Sequence, residues 1–346
     1  MYQPITVSVD GMGGDHAPDI VVEGLTIAAR KFSDVRFLLY GDETRLAALL
    51  PEDVRGRCEI RHADDVITNE MKPTLALRRR ESSMRKAIDA VAEGEAQAVV
   101  SAGNTGALMA TATIVLKMLP GISRPAIATC FPTMRGQTVM LDLGANVECD
   151  ADNLVQFAVM GEAYARNVIG LSKPVVGILN VGAEDLKGST SVRKASEILQ
   201  DTGLPFEFYG FVEGDDLGKG TVDVIVTDGF TGNISLKTVE GTVRLFVHFL
   251  REALSSSWMA KLGYFLVRPA LNAFRRRLDP RLYNGAMLVG LNGICVKSHG
   301  GTDGLGFANA LEVAVNLVRR KFNDRIREDI AYLAAEEPQP TAAAAR

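Results

Sequence analysis

The chain has 346 residues, 47% of them hydrophobic and 23% charged, which is the composition of an ordinary globular protein. A formal charge of −4 offers nucleic acid no electrostatic footprint. The cysteines Cys58, Cys130, Cys149 and Cys295 are scattered without metal-ligand spacing, which suits reduced thiols and a cytoplasmic location.

Met1–Pro4 reads as the lead into a strand and not as a signal segment. Ile5–Val9 is that first strand. It leaves through Asp10-Gly-Met-Gly-Gly-Asp-His-Ala-Pro18, and a helix follows over Asp19–Lys31. The third glycine of a dinucleotide fingerprint would fall at His16, so that fingerprint fails. Asp10 and Asp15 would repel a phosphate, so Asp10, Gly13, Gly14 and Asp15 are expected to shape a wall of a site rather than cradle a nucleotide. Val35–Tyr40 is a second strand, Glu43–Leu50 a short helix and Cys58–His62 a weak strand. Met71–Glu93 is expected to be helical and basic, with Arg78, Arg79 and Arg80 either on a solvated face or docking an acidic partner.

Gln97–Ser101 is a strand leaving through Ser101-Ala-Gly-Asn-Thr-Gly-Ala107 into a small, apolar helix over Leu108–Leu119. Asn104 and Thr105 either cap that helix or join Ser101 as donors to an oxyanion. Ile127–Phe131 and Thr138–Leu143 read as a hairpin, and the second strand exits into Asp142-Leu-Gly-Ala-Asn146. A helix follows over Asp152–Val168. Pro174–Asn180 is a buried strand leaving through Val181–Gly188, with a helix from Ser189 to about Thr202. Lys187-Gly188 reverses the order of a P-loop, which rejects that motif and leaves Lys187 as a cation at a strand exit.

Phe206–Val212 is another strand. Val222–Thr227 is a buried run, and Asp228-Gly-Phe-Thr-Gly-Asn233 turns it into a long helix reaching about Leu254. Free backbone N–H groups at that helix start, with Gly229 and Gly232 beside them, form a ready anion site or merely a tight turn. Ser255–Ser257 interrupts the helix. Residues 258–277 place Leu262, Phe265 and Leu266 on one face, with Arg268, Arg275 and Arg276 supplying charge. Gly263 and Pro269 argue against one straight helix there. This arm, about 250–282, reads equally as a helical pair packed on the core or a twin subunit, or as a membrane or partner contact. Ile294–Lys297 is the last strand. It leaves through Ser298-His299-Gly300 into a closing helix over 303–333. His299 is read as an anion donor. No apolar run reaches the roughly 20 residues of a membrane span, and residues 336–346 read as a disordered tail.

The exits at Ser101, Asp142, Gly182, Asp228 and Ser298 are all small, polar and Gly-rich. In an open α/β sheet such exits line the ligand cleft, and parallel strands throughout would bring them together. Amides, hydroxyls, backbone N–H groups and one lysine suit an oxyanion. They include no nucleophile with its base, so covalent catalysis is not indicated.

These motifs, in this order from residue 5 to about 320, resemble the phosphate acyltransferase (PlsX) family. The family usually has Gly-Asn where this chain has Gly182-Ala183 and Gly188-Ser189. The resemblance implies an α/β protein with a Rossmann-like three-layer α/β/α fold, similar to phosphotransacetylases and isocitrate dehydrogenases, forming one domain over 1–335. It implies transfer of a fatty acyl group from acyl carrier protein to inorganic phosphate for phospholipid synthesis, with no cofactor and no metal. It also implies a homodimer touching the membrane through a helical tip and handing product to a membrane glycerol-3-phosphate acyltransferase. Lys187 and Asn233 would be the catalytic donors. Ser101, Asn104, Thr105, Asn146, Asp228, Gly229, Gly232 and His299 would hold phosphate or line the cleft. Competing readings are a coenzyme A phosphotransacetylase, an isocitrate-type dehydrogenase, an acyl-accepting Cys149 and a non-catalytic membrane scaffold.

Overall fold

A computed structural model describes residues 4–201, 206–277 and 279–336, without the side chains of 275–277 and 332–336. Thr202 and residues 337–346 of the expected 336–346 tail lie outside the described residues, while Glu336 ends the last helix. The chain begins β1 (Ile5–Asp10), α1 (Asp19–Lys31), β2 (Val35–Gly41), α2 (Glu43–Leu49), α3 (Glu52–Arg55), β3 (Cys58–His62), α4 (Pro73–Ala76), α5 (Ser83–Ala92), β4 (Ala98–Ser101) and α6 (Thr105–Leu116). It continues β5 (Ala126–Thr133), β6 (Gly136–Leu141), α7 (Ala151–Val168), β7 (Val175–Leu179), α8 (Thr190–Asp201), β8 (Glu207–Val212), α9 (Asp216–Lys219) and β9 (Val224–Val226). It closes with α10 (Gly229–Ser255), α11 (Trp258–Arg277), β10 (Ala286–Val289), β11 (Ile294–Lys297), α12 (Gly304–Arg319) and α13 (Phe322–Glu336).

One 11-stranded sheet runs through the molecule in the order β3-β2-β1-β4-β11-β10-β5-β6-β9-β7-β8. Its strands are apolar on both faces because both are covered. Along β2, Val35, Phe37 and Leu39 join one core while Leu38 and Tyr40 join the other. Helices α1, α7, α8, α12 and α13 fill the first face, and α4, α5 and α6 the second, giving the expected three layers.

The sheet is mostly but not wholly parallel. The β11–β10, β10–β5 and β5–β6 pairs are antiparallel. Strands β6, β9, β7 and β8 therefore run opposite to β1–β4, β11 and β5. The long strand β5 joins the halves, pairing with β10 through Ala126–Ala128 and with β6 through Thr129–Thr133. The registers place Ser101 beside Lys297, Lys297 beside Ala286, Thr129 beside Met140, and Met140 beside Ile225. The strand ends of both halves thus sit at nearly one transverse line, and their exits leave in opposite directions.

Several local expectations are corrected. Met71–Glu93 is not one helix. Pro73 opens α4, and Ser82 caps α5 by accepting from the Arg85 N–H, so Arg78–Arg80 occupy the turn between them. The closing helix breaks at Lys321, whose φ is +52°. Residues 258–277 form one continuous helix with Pro269 inside it.

Candidate active site

The first half of the site grows from the ends of β1, β4 and β11. Asp10 is buried; its carboxylate accepts from Ser83 Oγ at 2.6 Å and from Ser101 Oγ at 2.7 Å. Burial raises its pKa, and those hydroxyls, the Met12 N–H and the Lys297 charge pull the other way. Ser101 Oγ also accepts from the Gly103 N–H, so it braces Asp10 and is not open to a ligand. A Cβ on Gly13 would fall 2.4 Å from the Asp10 carboxylate, which explains the glycine. Asp15 is exposed. It accepts from Asn69 and donates its N–H to the Gly300 carbonyl, tying the first loop to the last. Gly14, in the same loop, has φ +113°, a conformation that side chains disfavour.

Asn104 is a cap. Its Oδ1 accepts from the Ala107 N–H, and its Nδ2 donates to the carbonyls of Asn69 and Met71. Its amide is thereby occupied, while Thr105 is exposed on the first turn of α6.

Lys297 was missed in the sequence, although a charge ending an apolar strand beside Ser298-His299 is a signal. Its Nζ donates to the carbonyls of Ala102 and Ser298. Burial lowers its pKa to about 8 against the pull of Asp10 and Asp15. His299 is held from both sides: its N–H donates to Asn284 Oδ1, and its Nδ1 accepts from the Gly301 N–H at 3.1 Å. A backbone N–H can only donate, so the neutral ring carries its proton on Nε2 and presents a donor. Burial, then the charges of Lys297 and Lys237, depress the His299 pKa and keep it neutral.

The second half forms at the ends of β6, β9 and β7. Buried Asp142 accepts from the N–H groups of Ile127, Gly144, Ala145 and Asn146, and from the Asn146 side-chain amide. The other Asn146 amide hydrogen goes to the Pro125 carbonyl, so Asn146 is a brace. Asp228 caps α10, accepting from the N–H and the hydroxyl of Thr231. Gly229 and Gly232 let the helix sit on this loop. A Cβ at either would approach the Asn146 or Asp142 carbonyl to 2.5 or 1.8 Å. They serve packing rather than ligand approach. Asn233 is exposed beside Gly144, and no hydrogen bond involves its side chain among the described residues.

Lys187 lies on the loop after β7. It is half-exposed and paired with Glu184 at 2.7 Å; that bond, the charge of Glu184 and more distant Glu213 raise its pKa. No hydrogen bond or ion pair joins it to Asn233 among the described residues. The expectation of parallel strands throughout is corrected: the exits form two sets that leave the sheet in opposite directions. Helix α10 starts at the Asp142 loop, and Leu236 and Val239 pack it against the second core.

Burial, then the Asp142 charge, push the Cys149 thiol up to about 12, away from the thiolate that the rival acyl-cysteine route needs. Among the described residues no group of three or more His, Cys, Asp or Glu could hold a metal ion. Arg78 and Arg79 are exposed, Arg79 pairing with Asp65 at 3.2 Å. Leu262, Phe265, Leu266 and Arg268 are exposed on α11, which packs on α10 through Phe246 and Phe274. The side chains of Arg275 and Arg276 lie outside the described residues. No helix among the described residues is long and apolar enough to cross a membrane.

The three-layer fold with a reversed half-sheet is that of the α/β phosphotransacylases. A phosphotransacetylase from Streptococcus pyogenes superposes with a TM-score of 0.61 over 91% of this chain and 94% of its own, at 16% identity. EutD phosphotransacetylase from Staphylococcus aureus gives 0.57 over 90% and 93%, at 18% identity. Residues 5–325 match the family model described as "Fatty acid synthesis protein". The phosphate acyltransferase of Paramagnetospirillum magneticum is 57% identical over 100% of this chain and 99% of its own. That of Rhodospirillum rubrum is 58% identical over 96% of each. The chain belongs to this phosphate acyltransferase family and is an acyltransferase.

Proposed function

We propose that the chain transfers a fatty acyl group from acyl-acyl-carrier-protein to inorganic phosphate, releasing acyl phosphate for phosphatidic acid synthesis. The observation that supports this most is the presence of two unoccupied donors at the strand exits, the Asn233 amide and the His299 Nε2–H. Phosphate is a nucleophile at neutral pH and needs only to be held about 3 Å from the thioester carbonyl. One phosphate oxygen attacks the carbonyl carbon, and the carbonyl oxygen becomes an oxyanion held by Asn233 and Lys187. Collapse expels the carrier's thiolate, which takes up a proton from solvent.

Acyl carrier protein is acidic in this reading and docks on Arg78 and Arg79 or on the arginines of the arm. The enzyme is a cytoplasmic homodimer that touches the membrane through Leu262, Phe265 and Leu266, where a glycerol-3-phosphate acyltransferase takes the product. Phosphate-dependent release of free carrier protein from a long-chain acyl-carrier-protein tests the reading. A preference for the coenzyme A thioester in the same assay would replace it with a phosphotransacetylase. Lys187→Ala should lower turnover by roughly a hundredfold, and an unaltered rate would remove the lysine from the mechanism.

A further inference from the structure

We propose that the exits of β6, β9 and β7 carry the acyl-chain site, with Val147, Phe230, Ile234, Val181 and Leu186 as its apolar lining. This rests on the reading above and names the surface that would hold the fatty half of one substrate. The five side chains are between 49% and 86% exposed, at strand exits that are otherwise polar. They are not scattered. The Gly229 N–H donates to the Asn146 carbonyl at 2.7 Å, so Val147 and Phe230 are the next residues on two bonded backbones. Ile234 follows Phe230 by four residues on α10 and shares its face. The Asn180 side chain donates to the Lys187 carbonyl at 3.1 Å and closes the loop after β7; Val181 and Leu186 flank that pair. Val226 of β9 is paired with Leu141 of β6 on one side and with Ile178 of β7 on the other. At the usual strand spacing the outer two exits begin about 10 Å apart.

The occupant follows from what the patch is interleaved with. Asn233 directly precedes Ile234, and a Cβ on Gly144 would lie 3.6 Å from the Asn233 Cβ, so the amide rises from the same loops. Lys187 directly follows Leu186. In the proposed reaction those two donors hold the carbonyl oxygen, and the acyl chain begins at the carbonyl carbon. The chain has to leave past their neighbours, and these are apolar. Each methylene taken out of water strengthens binding roughly fourfold, so a long chain crossing these residues gains what a short one does not. Other occupants fit less well. Exposed Glu184 and Asp185 adjoin Leu186 and outnumber Lys187, which disfavours an anionic lipid surface and the acidic body of the carrier alike.

The test compares palmitoyl and butyryl carrier protein as substrates of the parent, Phe230→Ser, Leu186→Ser and Phe230→Leu. Binding of cis-parinaric acid, a fluorescent fatty acid, to the free enzymes is titrated alongside. Met134→Ser removes an equally exposed side chain at the β5–β6 turn, away from these exits, and is the control. Phe230→Ser and Leu186→Ser should each lower kcat/KM for the palmitoyl substrate roughly tenfold and weaken the probe similarly, with the butyryl substrate and the KM for phosphate unchanged. Phe230→Leu should recover most of the loss, and Met134→Ser should match the parent. An equal loss for both chain lengths would mean that the residues position the donors instead, and it overturns the proposal. So does intact chain-length selectivity, whether or not the variants lose binding to phosphatidylglycerol vesicles or dissociate into monomers. Should the parent release no carrier protein from either thioester, the reaction assigned above fails, while the parinaric acid titration still decides whether this patch binds an acyl chain.

Discussion

Gly232→Ala probes the seat on which the second half of the site depends. Inside a helix this change ordinarily stabilises by up to about 1 kcal/mol. Here the new Cβ would lie 1.8 Å from the Asp142 carbonyl oxygen and 3.0 Å from Thr227 Cγ2, where real Cβ contacts rarely fall below 3.0 Å. The two backbones must separate by more than an ångström. Asp142 is held by backbone N–H groups from Ile127, Gly144, Ala145 and Asn146, so the first turn of α10 has to give. Overpacking of this kind costs about 1–3 kcal/mol, more than the helix propensity returns. The larger effect is on activity: a displacement of about 1 Å at Asn233 should lower turnover on the order of a hundredfold. Gly241→Ala, on the same helix with nothing within 4 Å of its Cβ, is the control. It should gain roughly 0.5–1 kcal/mol and keep its activity. Thermal unfolding and carrier-protein release measure both quantities. A Gly232→Ala variant that melts no lower than its parent and turns over equally fast would mean that α10 is not seated on Asp142.

Two further outcomes are expected. Lys297 is a cation below its pKa of about 8 and loses that charge above it. If that charge favours phosphate, kcat/KM for phosphate should fall above about pH 8, and Lys297→Arg, which stays charged, should lose that limb; an identical alkaline limb in the variant would rule Lys297 out as its source. Cys149 is a thiol at neutral pH, so Cys149→Ala should retain full activity and the parent should resist neutral alkylation, whereas loss of activity in a folded variant would reopen the acyl-cysteine route.

What was legible in the sequence was local. Asp228 caps α10 and Asn104 caps α6 as their positions ahead of helical runs require, and the Gly-rich exits fall at strand ends. What stayed hidden was non-local. The hairpin at Met134–Arg135 was legible, but its effect is to reverse every strand beyond β5, and that depends on pairings far apart in the chain. The roles of Ser101 and Asn146 were hidden for the same reason: donors in the sequence, they are occupied by Asp10 and Asp142 in the fold. Pro269 misled differently, since the exposed helix α11 carries it without breaking.

Strand β5 sets the offset between the strand exits of the two half-sheets. It bonds to one half-sheet over its first three residues and to the other over its last five. Adding one residue between Ala128 and Thr129 would turn every following side chain inside out, because strand faces alternate. Adding two would restore the faces and slide one set of exits about 7 Å past the other. A library built on β5 should therefore sample even insertions alone.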